Sequence, residues 1–263
     1  MLARRLEPGL QIAEYEPKRM SGGAPSHAEF LDAPAVVCLC YEALSEWHFE
    51  EIDSCQAVIT EAVSLAKKLN DMVGLAAALH FSAYIAHYNR NTTEVEHFAS
   101  DLIELSTRHN FSYWLATGTI FRGWARSICG DTAQGISWIE EGLEDFRATG
   151  VTLAVPYWLA LKAEALHLAE RTSKALEAIS EAEAIAERSE ERDWCAELHR
   201  LRGLFLTEIG AAESQHEVSF CAAISTAKQQ KSVSLATRAE TTYAEYRRQK
   251  ASALGGRGFR LPL

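Results

Sequence analysis

Residues 121–143, FRGWARSICGDTAQGISWIEEGL, decide the fold of this chain. Small residues stand at Gly123, Gly130, Gly135 and Gly142, among apolar residues at helical spacing. Three of these glycines belong to ladders of residues spaced 40 apart. The four ladders are Ala83, Gly123, Ala163, Gly203; Cys55, Val95, Gly135, Ala175; Ile59, Ala99, Ile139, Ile179; and Ala62, Leu102, Gly142, Ala182. The last two continue one residue late, at Phe220 and Ala223. A fixed period in this range predicts a solenoid of repeated units.

The apolar spacing between the ladders is helical. Residues such as Ile52, Cys55 and Ile59 recur at steps of three and four, and sustained strict alternation is absent. Pro156 is the single proline between Pro34 and Pro262, and it lies at an expected helix start. We therefore predict an all-α fold, a right-handed solenoid of about five and a half helix pairs. The predicted helices are 35–47, 53–69, 72–89, 93–108, 112–129, 132–148, 153–169, 172–188, 191–209, 213–230 and 232–250.

Turn residues indicate where these helices end. Gly130, Gly150 and Gly210 each follow an apolar helix, where a left-handed C-cap favours glycine. Asp131 is a predicted N-cap, and Thr93 with Glu96 reads as a capping box. Small ladder residues at helix crossings allow the close approach of neighbouring helices.

The extent of the 40-residue period divides the chain into three predicted segments. Residues 34–250 form the predicted repeat domain. Before it, residues 3–14 are expected to form a lone helix and residues 17–33 a loop, and together residues 1–33 make an N-terminal segment. Residues 251–263, with three glycines, are expected to be an irregular tail.

Composition excludes several classes of protein. The formal net charge of −10 argues against broad nucleic-acid binding. No apolar run is long enough for a transmembrane helix, and the first residues lack a signal peptide. Six scattered cysteines without a C-x-x-C pair indicate a reducing compartment, so we expect a cytoplasmic protein that does not bind membranes.

The charge is uneven along the chain. Between Lys228 and Arg260 there are eight basic and two acidic residues, so this segment carries +6 and the remainder −16. A solvated terminal helix is the simpler interpretation. The alternative is docking to an acidic partner or self-association with the acidic body of another copy.

The glycines at 123, 130, 135 and 142, together with Ile139, resemble the tetratricopeptide pattern, although its usual unit is shorter. Strings such as Gly123-Trp124-Ala125 and residues 197–203, ELHRLRG, resemble the helical-repeat region of large bacterial signalling ATPases. The resemblance runs over residues 6–248. In that family the repeats follow an AAA-type ATPase domain, often preceded by an adenylate or guanylate cyclase domain or a transcriptional-activator domain. The resemblance therefore implies a bacterial signalling module.

Two departures limit what the resemblance implies. No phosphate-binding loop G-x-x-x-x-G-K-[ST] occurs, so neither ATPase nor cyclase activity is carried over. The turn glycine is also replaced near Glu50 and at Arg90, which predicts less regular first units.

The resemblance places the first helix of each unit on the concave side of the solenoid. The positions expected to be exposed there define candidate ligand-binding residues in a groove. They are His80, Tyr84, His87, Trp124, Glu164, His167 and Arg200. Such a mixture of aromatic, acidic and basic side chains could hold an extended peptide or a helix. Trp114, Trp158 and Trp194 are expected to pack between units.

Chemistry beyond binding has little support in the sequence. His80 and His87 lie two helical turns apart, too far to chelate one ion easily, and no H-E-x-x-H motif is present. Neighbouring carboxylates such as Glu140 and Glu141 lie in charge-rich stretches typical of solvated helix faces. We therefore predict no enzyme activity, no catalytic or metal-binding residues and no cofactor. The predicted function is a non-enzymatic scaffold for a protein or peptide segment, or a regulatory module of a bacterial signalling system. The alternative is a small-molecule-sensing helical domain of a cyclase or ATPase signalling protein, with a pocket near Trp124.

Overall fold

The computed structural model describes residues 34–253, so the lone helix and the loop predicted before residue 34 lie outside the described residues. The tail predicted at 251–263 is wrong for its first three residues, which continue the last helix to Ala253, and its remainder lies outside the described residues. Eleven helices and no strand occur in the described part. Their bounds are α1 Pro34–His48, α2 Ile52–Leu69, α3 Met72–Tyr88, α4 Thr92–His109, α5 Ser112–Ile128, α6 Thr132–Ala148, α7 Val155–Leu168, α8 Thr172–Ser189, α9 Cys195–Glu208, α10 Glu213–Gln229 and α11 Val233–Ala253. The all-α repeat fold predicted from the period is confirmed.

From α1 to α9, each odd-numbered helix packs against the even-numbered helix that follows it. The last described helix, α11, packs against α10, and no described helix follows it. Consecutive odd-numbered helices also contact one another from α1 to α11. They form one row, which we call the inner row, on the inside of the curve. The first and last helices of this row, α1 and α11, touch. None of the described helices combines the length and apolar character needed to cross a lipid bilayer.

The ladder glycines lie where helices cross. A Cβ atom added to Gly123 would lie 2.7 Å from the carbonyl oxygen of Gly135, so the backbones of α5 and α6 are in contact there. A Cβ atom on Gly142 would lie 2.7 Å from Cγ1 of Ile120. Close packing therefore explains these glycines, as the ladders predicted.

The turns repeat with the same period. Turns inside the units have left-handed residues at Glu50, Arg90, Gly130, Glu170 and Gly210, with φ between 57° and 99°. The expectation of irregular first units is wrong, because Glu50 and Arg90 adopt the conformation that glycine adopts in later units. Left-handed residues also end the second helix of each unit, at Asn70, Asn110, Gly150, Glu190 and Lys231.

Capping agrees with the sequence at one predicted position and differs at another. The Asp131 carboxylate accepts a hydrogen bond from the backbone N–H of Gln134, which confirms the predicted N-cap. The capping box at Thr93 and Glu96 is wrong. Asn91 caps α4 instead, since its side-chain oxygen accepts from the N–H of Glu94.

The predicted start of α9 is four residues early. Residues 191–194 form a loop before Cys195, and within it the Glu191 carboxylate accepts a hydrogen bond of 2.8 Å from the N–H of Ala154. Ala154 has a φ of 66° and precedes α7 directly. The two loops that precede α7 and α9 are therefore joined by this side chain, which the helical spacing could not reveal.

Candidate functional site

The seven candidate groove residues all lie on the inner row, but most of them are not exposed. His80, His87, Trp124, Glu164 and Arg200 are at most 5% exposed, so the expectation of open groove walls at these positions is wrong. Tyr84 and His167 are half-buried. A role of the seven residues in ligand binding remains a prediction.

The curvature of the inner row explains this burial. Tyr84 on α3 stacks on Tyr157 of α7 at 4.1 Å between ring centroids. Tyr88, one turn further along α3, stacks on Trp194 at the start of α9 at 4.7 Å. Helix α3 therefore contacts α7, two units away, and the start of α9, three units away. The side chains that were expected to line an open groove fill the space between these helices.

His80, Tyr84, Phe121, Tyr157 and Trp158 form the aromatic half of the interior. Burial lowers the pKa of His80 to about 3, so its imidazole is neutral at pH 7. Burial also raises the pKa of Tyr84 and of Tyr157 well above the usual value. This half is a hydrophobic core. Trp114, Trp158 and Trp194 are buried, which confirms their predicted packing role.

Three of the candidates, His87, Trp124 and Glu164, meet below the aromatic half. The Trp124 indole Nε1 donates a hydrogen bond of 2.9 Å to Oε2 of Glu164. The His87 ring lies edge-on to Trp124, and its Nε2 is 4.0 Å from Oε1 of Glu164. Nδ1 of His87 is 2.8 Å from the hydroxyl of Tyr157. His167 lies apart from this group, against Phe205 and Thr172.

A buried ion cluster adjoins these residues and includes three charged side chains that the sequence analysis missed. Arg90 places Nη1 at 2.5 Å from Oε2 of Glu164 and Nη2 at 2.9 Å from Oε1 of Glu197. Arg200 contacts both oxygens of Glu197, at 2.7 and 2.9 Å. Arg238 of α11 lies 3.6 Å from Oε1 of Glu197. The cluster thus links four helical units.

Burial alone would raise the pKa of Glu197, but Arg200, Arg238 and Arg90 together hold that pKa well below its usual range. Burial would lower the pKa of Arg90, but the carboxylates of Glu164 and Glu197 outweigh it and keep that pKa above its usual value. Burial, followed by Arg90 and Arg238, lowers the pKa of His87 well below 6.5. With His87 neutral, the cluster holds three guanidinium groups against two carboxylates.

Some buried polar atoms in this region have no hydrogen-bond partner among the described residues. They are Nε2 of His87, Oε1 of Glu164, Nε1 of Trp194 and Nη1 of Arg238. Unpaired buried polar atoms destabilise a fold by roughly 1–3 kcal/mol each. The arrangement therefore gives each carboxylate at least one guanidinium partner but leaves part of its hydrogen-bonding capacity unused.

The two ends of the inner row are joined by a contact that we call the clasp, made by Trp47, His48, Ser232, Ser234 and Arg238. The Ser234 hydroxyl donates a hydrogen bond of 2.5 Å to the carbonyl oxygen of Trp47, and His48 Nδ1 lies 2.8 Å from Oγ of Ser232. The Arg238 guanidinium lies over the Trp47 ring and donates to the carbonyl oxygen of Tyr88. Part of the basic C-terminal segment therefore makes contacts within the same chain.

One signal in the sequence could have found Arg90. It occupies the turn position at which the third and fifth units have glycine, so a long charged side chain projects from a turn beside the inner row. Glu197 has a local signal, since Arg200 lies three residues later, but its contact with Arg90 spans 107 residues. Arg238 offered no comparable signal, because its contact with Tyr88 spans 150 residues.

Three features of residues 34–253 bear on metal, thiol and carboxylate chemistry. No group of three His, Cys, Asp or Glu side chains in residues 34–253 is arranged to hold a metal ion. Cys40 is buried, and burial raises its pKa to about 12, which disfavours the thiolate. The Glu140 carboxylate pairs with Lys162 at 2.9 Å on a surface of the repeat.

Comparisons with known proteins agree with the fold. No known protein family matches the sequence. An uncharacterized protein of Rhizobium meliloti (strain 1021) is 25% identical over 235 residues, which make up 89% of this chain. The chain spans only 22% of the length of that relative.

Two crystal structures are similar in fold. The apo form of RapI superposes with a TM-score of 0.57 at 12% identity, covering 84% of this chain and 86% of RapI. A Signal Transduction ATPase with Numerous Domains (STAND) protein with a tetratricopeptide repeat sensor, from Pyrococcus horikoshii, gives a TM-score of 0.50 at 14% identity. That match covers 89% of this chain and 35% of the STAND protein. The chain therefore has a tetratricopeptide-like helical repeat fold.

Proposed function

We propose that this chain is a non-enzymatic module that binds a protein or peptide segment and serves regulation in a bacterial signalling system. Solenoids of this kind present a continuous concave surface to their partners. The observation that carries the proposal is that the buried carboxylates on α7 and α9 already bind side chains supplied from distant parts of the chain. Arg90 reaches them from the turn of the second unit, and Arg238 approaches Glu197 from the last helix.

The signalling context rests on two likenesses. The glycine strings resemble the repeat region of signalling ATPases, and one structural neighbour is a STAND protein described as having a tetratricopeptide repeat sensor. The relative from Rhizobium meliloti is much longer than this chain. In a larger protein, the solenoid would act as the arm that senses a partner.

The alternative of a small-molecule sensor has less support. That alternative requires a pocket near Trp124, but Trp124 is buried, bonded to Glu164 and packed against His87. Self-association through the basic segment also stays a proposal. Lys228 and Lys250 in that segment pair with Glu240 and Glu213 of the same chain, which reduces the charge available to another copy.

The proposal can be tested with a random peptide library displayed on phage and selected against the full chain. We expect recovery of a related set of peptides that bind the purified protein saturably at one site, as followed by fluorescence anisotropy. A chain that is folded by circular dichroism but yields no saturable peptide would contradict the proposal. Saturable binding of a small metabolite to the same protein, with no peptide selected, would favour the sensor alternative.

A further inference from the structure

We propose that the carboxylates of Glu164 and Glu197, which we call the carboxylate pair, form a receptor for an arginine side chain of the bound segment. In the free chain, Arg90 fills this receptor. The inference rests on the proposed function, because it names the chemistry by which the inner row would recognise its partner.

The geometry of Arg90 is that of a bound guanidinium group. Two of its nitrogens each contact a different carboxylate, at 2.5 and 2.9 Å, and those carboxylates come from adjacent helices of the inner row, α7 and α9. A planar guanidinium presents its donors in a fixed fork, which an ammonium group cannot reproduce. The pair therefore favours arginine over lysine.

The receptor can be reached from solvent. Both carboxylates are buried, but the Arg90 side chain is 25% exposed. Arg90 lies on the turn between α3 and α4 rather than inside a helix. Its side chain can therefore leave the carboxylate pair by rotating outward, without unfolding of either helix.

Two further atoms in the receptor are poorly satisfied by Arg90. Oε1 of Glu164 and Nε2 of His87 are buried 4.0 Å apart, and neither has a hydrogen-bond partner among the described residues. The His87 side chain is completely buried and aimed at Glu164. Arg90 thus leaves hydrogen-bonding capacity that a differently placed guanidinium can use.

The contacts that remain after Arg90 leaves show which carboxylate would bind the incoming cation. When Arg90 leaves, Glu197 keeps its two contacts with Arg200. Within residues 34–253, the one hydrogen bond left to Glu164 then comes from the neutral indole of Trp124, and Arg238 acts on Glu164 through its charge without a hydrogen bond. A buried carboxylate that loses its cationic partner strongly destabilises the folded protein. The remainder of the chain outside the basic segment carries −16, which attracts a basic partner segment.

The test uses the full chain with Arg90→Gly, since glycine accepts the φ of 57° at this turn. We expect a lower melting temperature than that of the wild type. Methylguanidinium at millimolar concentration should restore it, and methylammonium should not. The matched control is Glu170→Gly, the same turn position in the fourth unit with a φ of 59°. Its melting temperature should not respond to methylguanidinium.

A second variant covers the outcome in which Arg90→Gly does not fold. Arg90→Lys retains a cation at the turn, and the indole N–H resonance of Trp124 reports on Glu164 because the two are hydrogen-bonded. Methylguanidinium should shift this resonance in Arg90→Lys at a concentration about tenfold lower than in the wild type. Equal responses of the variant and the wild type, or equal effects of methylammonium and methylguanidinium, would overturn the proposal.

The two proposals fail separately. Selected peptides that bind equally well after their arginines are replaced by lysine would overturn the arginine receptor and leave the binding function intact. Rescue by methylguanidinium without any peptide ligand would support the receptor and contradict the peptide-binding function.

Discussion

The guanidinium of Arg90 lies 2.5 Å from the carboxylate of Glu164, a residue 74 positions later in the chain. In most solenoids a repeat contacts only its neighbours, so stability is close to a sum of adjacent terms. Here the second unit is tied directly to the fourth, and through Glu197 to the fifth. The inner row should therefore unfold more cooperatively than an open array of the same length.

Removing the charge of Glu164 tests this tie. Glu164→Gln leaves Arg90 facing a neutral amide in a buried site, and breaking a buried pair destabilises a protein by about 3–5 kcal/mol. Urea denaturation should show a loss of this size. Glu181→Gln, which removes a half-exposed partner of Arg147, should change the free energy of unfolding by less than about 1 kcal/mol. Similar losses in the two variants would mean that the buried pair contributes no more than a surface pair.

Acid should weaken the fold in a window set by His80, which is buried, and His48, which is partly buried. Burial and then Arg238 lower the pKa of His48 to about 4, and burial lowers that of His80 to about 3. Below pH 6.5 the unfolded chain binds protons that the folded chain does not, so stability is complete above pH 6.5 and falls below it. Each histidine contributes a slope of at most ~1.4 kcal/mol per pH unit.

The measurement is the free energy of unfolding between pH 7 and pH 5. His48→Gln should flatten the slope, while His97→Gln, at an exposed position on α4, should leave the slope as it is in the wild type. A slope that is the same in all three proteins would contradict the assignment of His48.

Alanine substitutions at two glycines of α5 should have different effects on stability. Gly123→Ala places a Cβ atom against backbone atoms of α6 at 2.7 Å and 2.9 Å, which cannot move alone. We expect a destabilisation of about 1–3 kcal/mol from this overpacking, seen as a lower melting temperature.

Gly118→Ala is the matched control on the same helix. Its nearest neighbour is Cγ1 of Ile103 at 3.0 Å, the movable part of a side chain. The gain in helix propensity, about 1 kcal/mol, should offset the contact. If Gly123→Ala were as stable as Gly118→Ala, close backbone packing would not explain the 40-residue ladder.

The clasp can be examined through Arg238. Arg238→Met keeps the aliphatic stem but loses the guanidinium contacts with Tyr88, Trp47 and Glu197. Amide hydrogen exchange should become faster at the end of α1 and the start of α11, and should stay unchanged in α5 and α6. Arg247→Met on the exposed side of α11 is the control. Uniform exchange changes across the chain, or none, would exclude a local clasp.

The sequence predicted the repeat accurately because the period is set by local packing. Gly123 and Gly142 report helix crossings between neighbours in the chain, and turns recur at fixed steps. Even Arg90, where the glycine was missing, keeps the left-handed turn. Helix propensity and turn geometry depend on residues close in sequence, so the spacing of residues along the chain predicts both.

The site could not be predicted to the same extent. Whether Trp124 lines a groove or lies in a core depends on how tightly the solenoid curves, which no single repeat determines. The contact of Arg238 with the backbone of Tyr88 spans 150 residues. Spacing within one unit contains no information on such contacts, so the seven candidates lie on the inner row as predicted, but five of them are buried where exposure was expected.

Hydrogen exchange of the full chain, with and without a selected peptide, tests the binding account most directly. We predict that saturating peptide protects amides of the inner row, at the ends of α3, α7 and α9 near Arg90, Glu164 and Glu197. The even-numbered helices α4, α6 and α8 should exchange as they do in the free protein. Protection confined to those outer helices, with the inner row unchanged, would contradict the account.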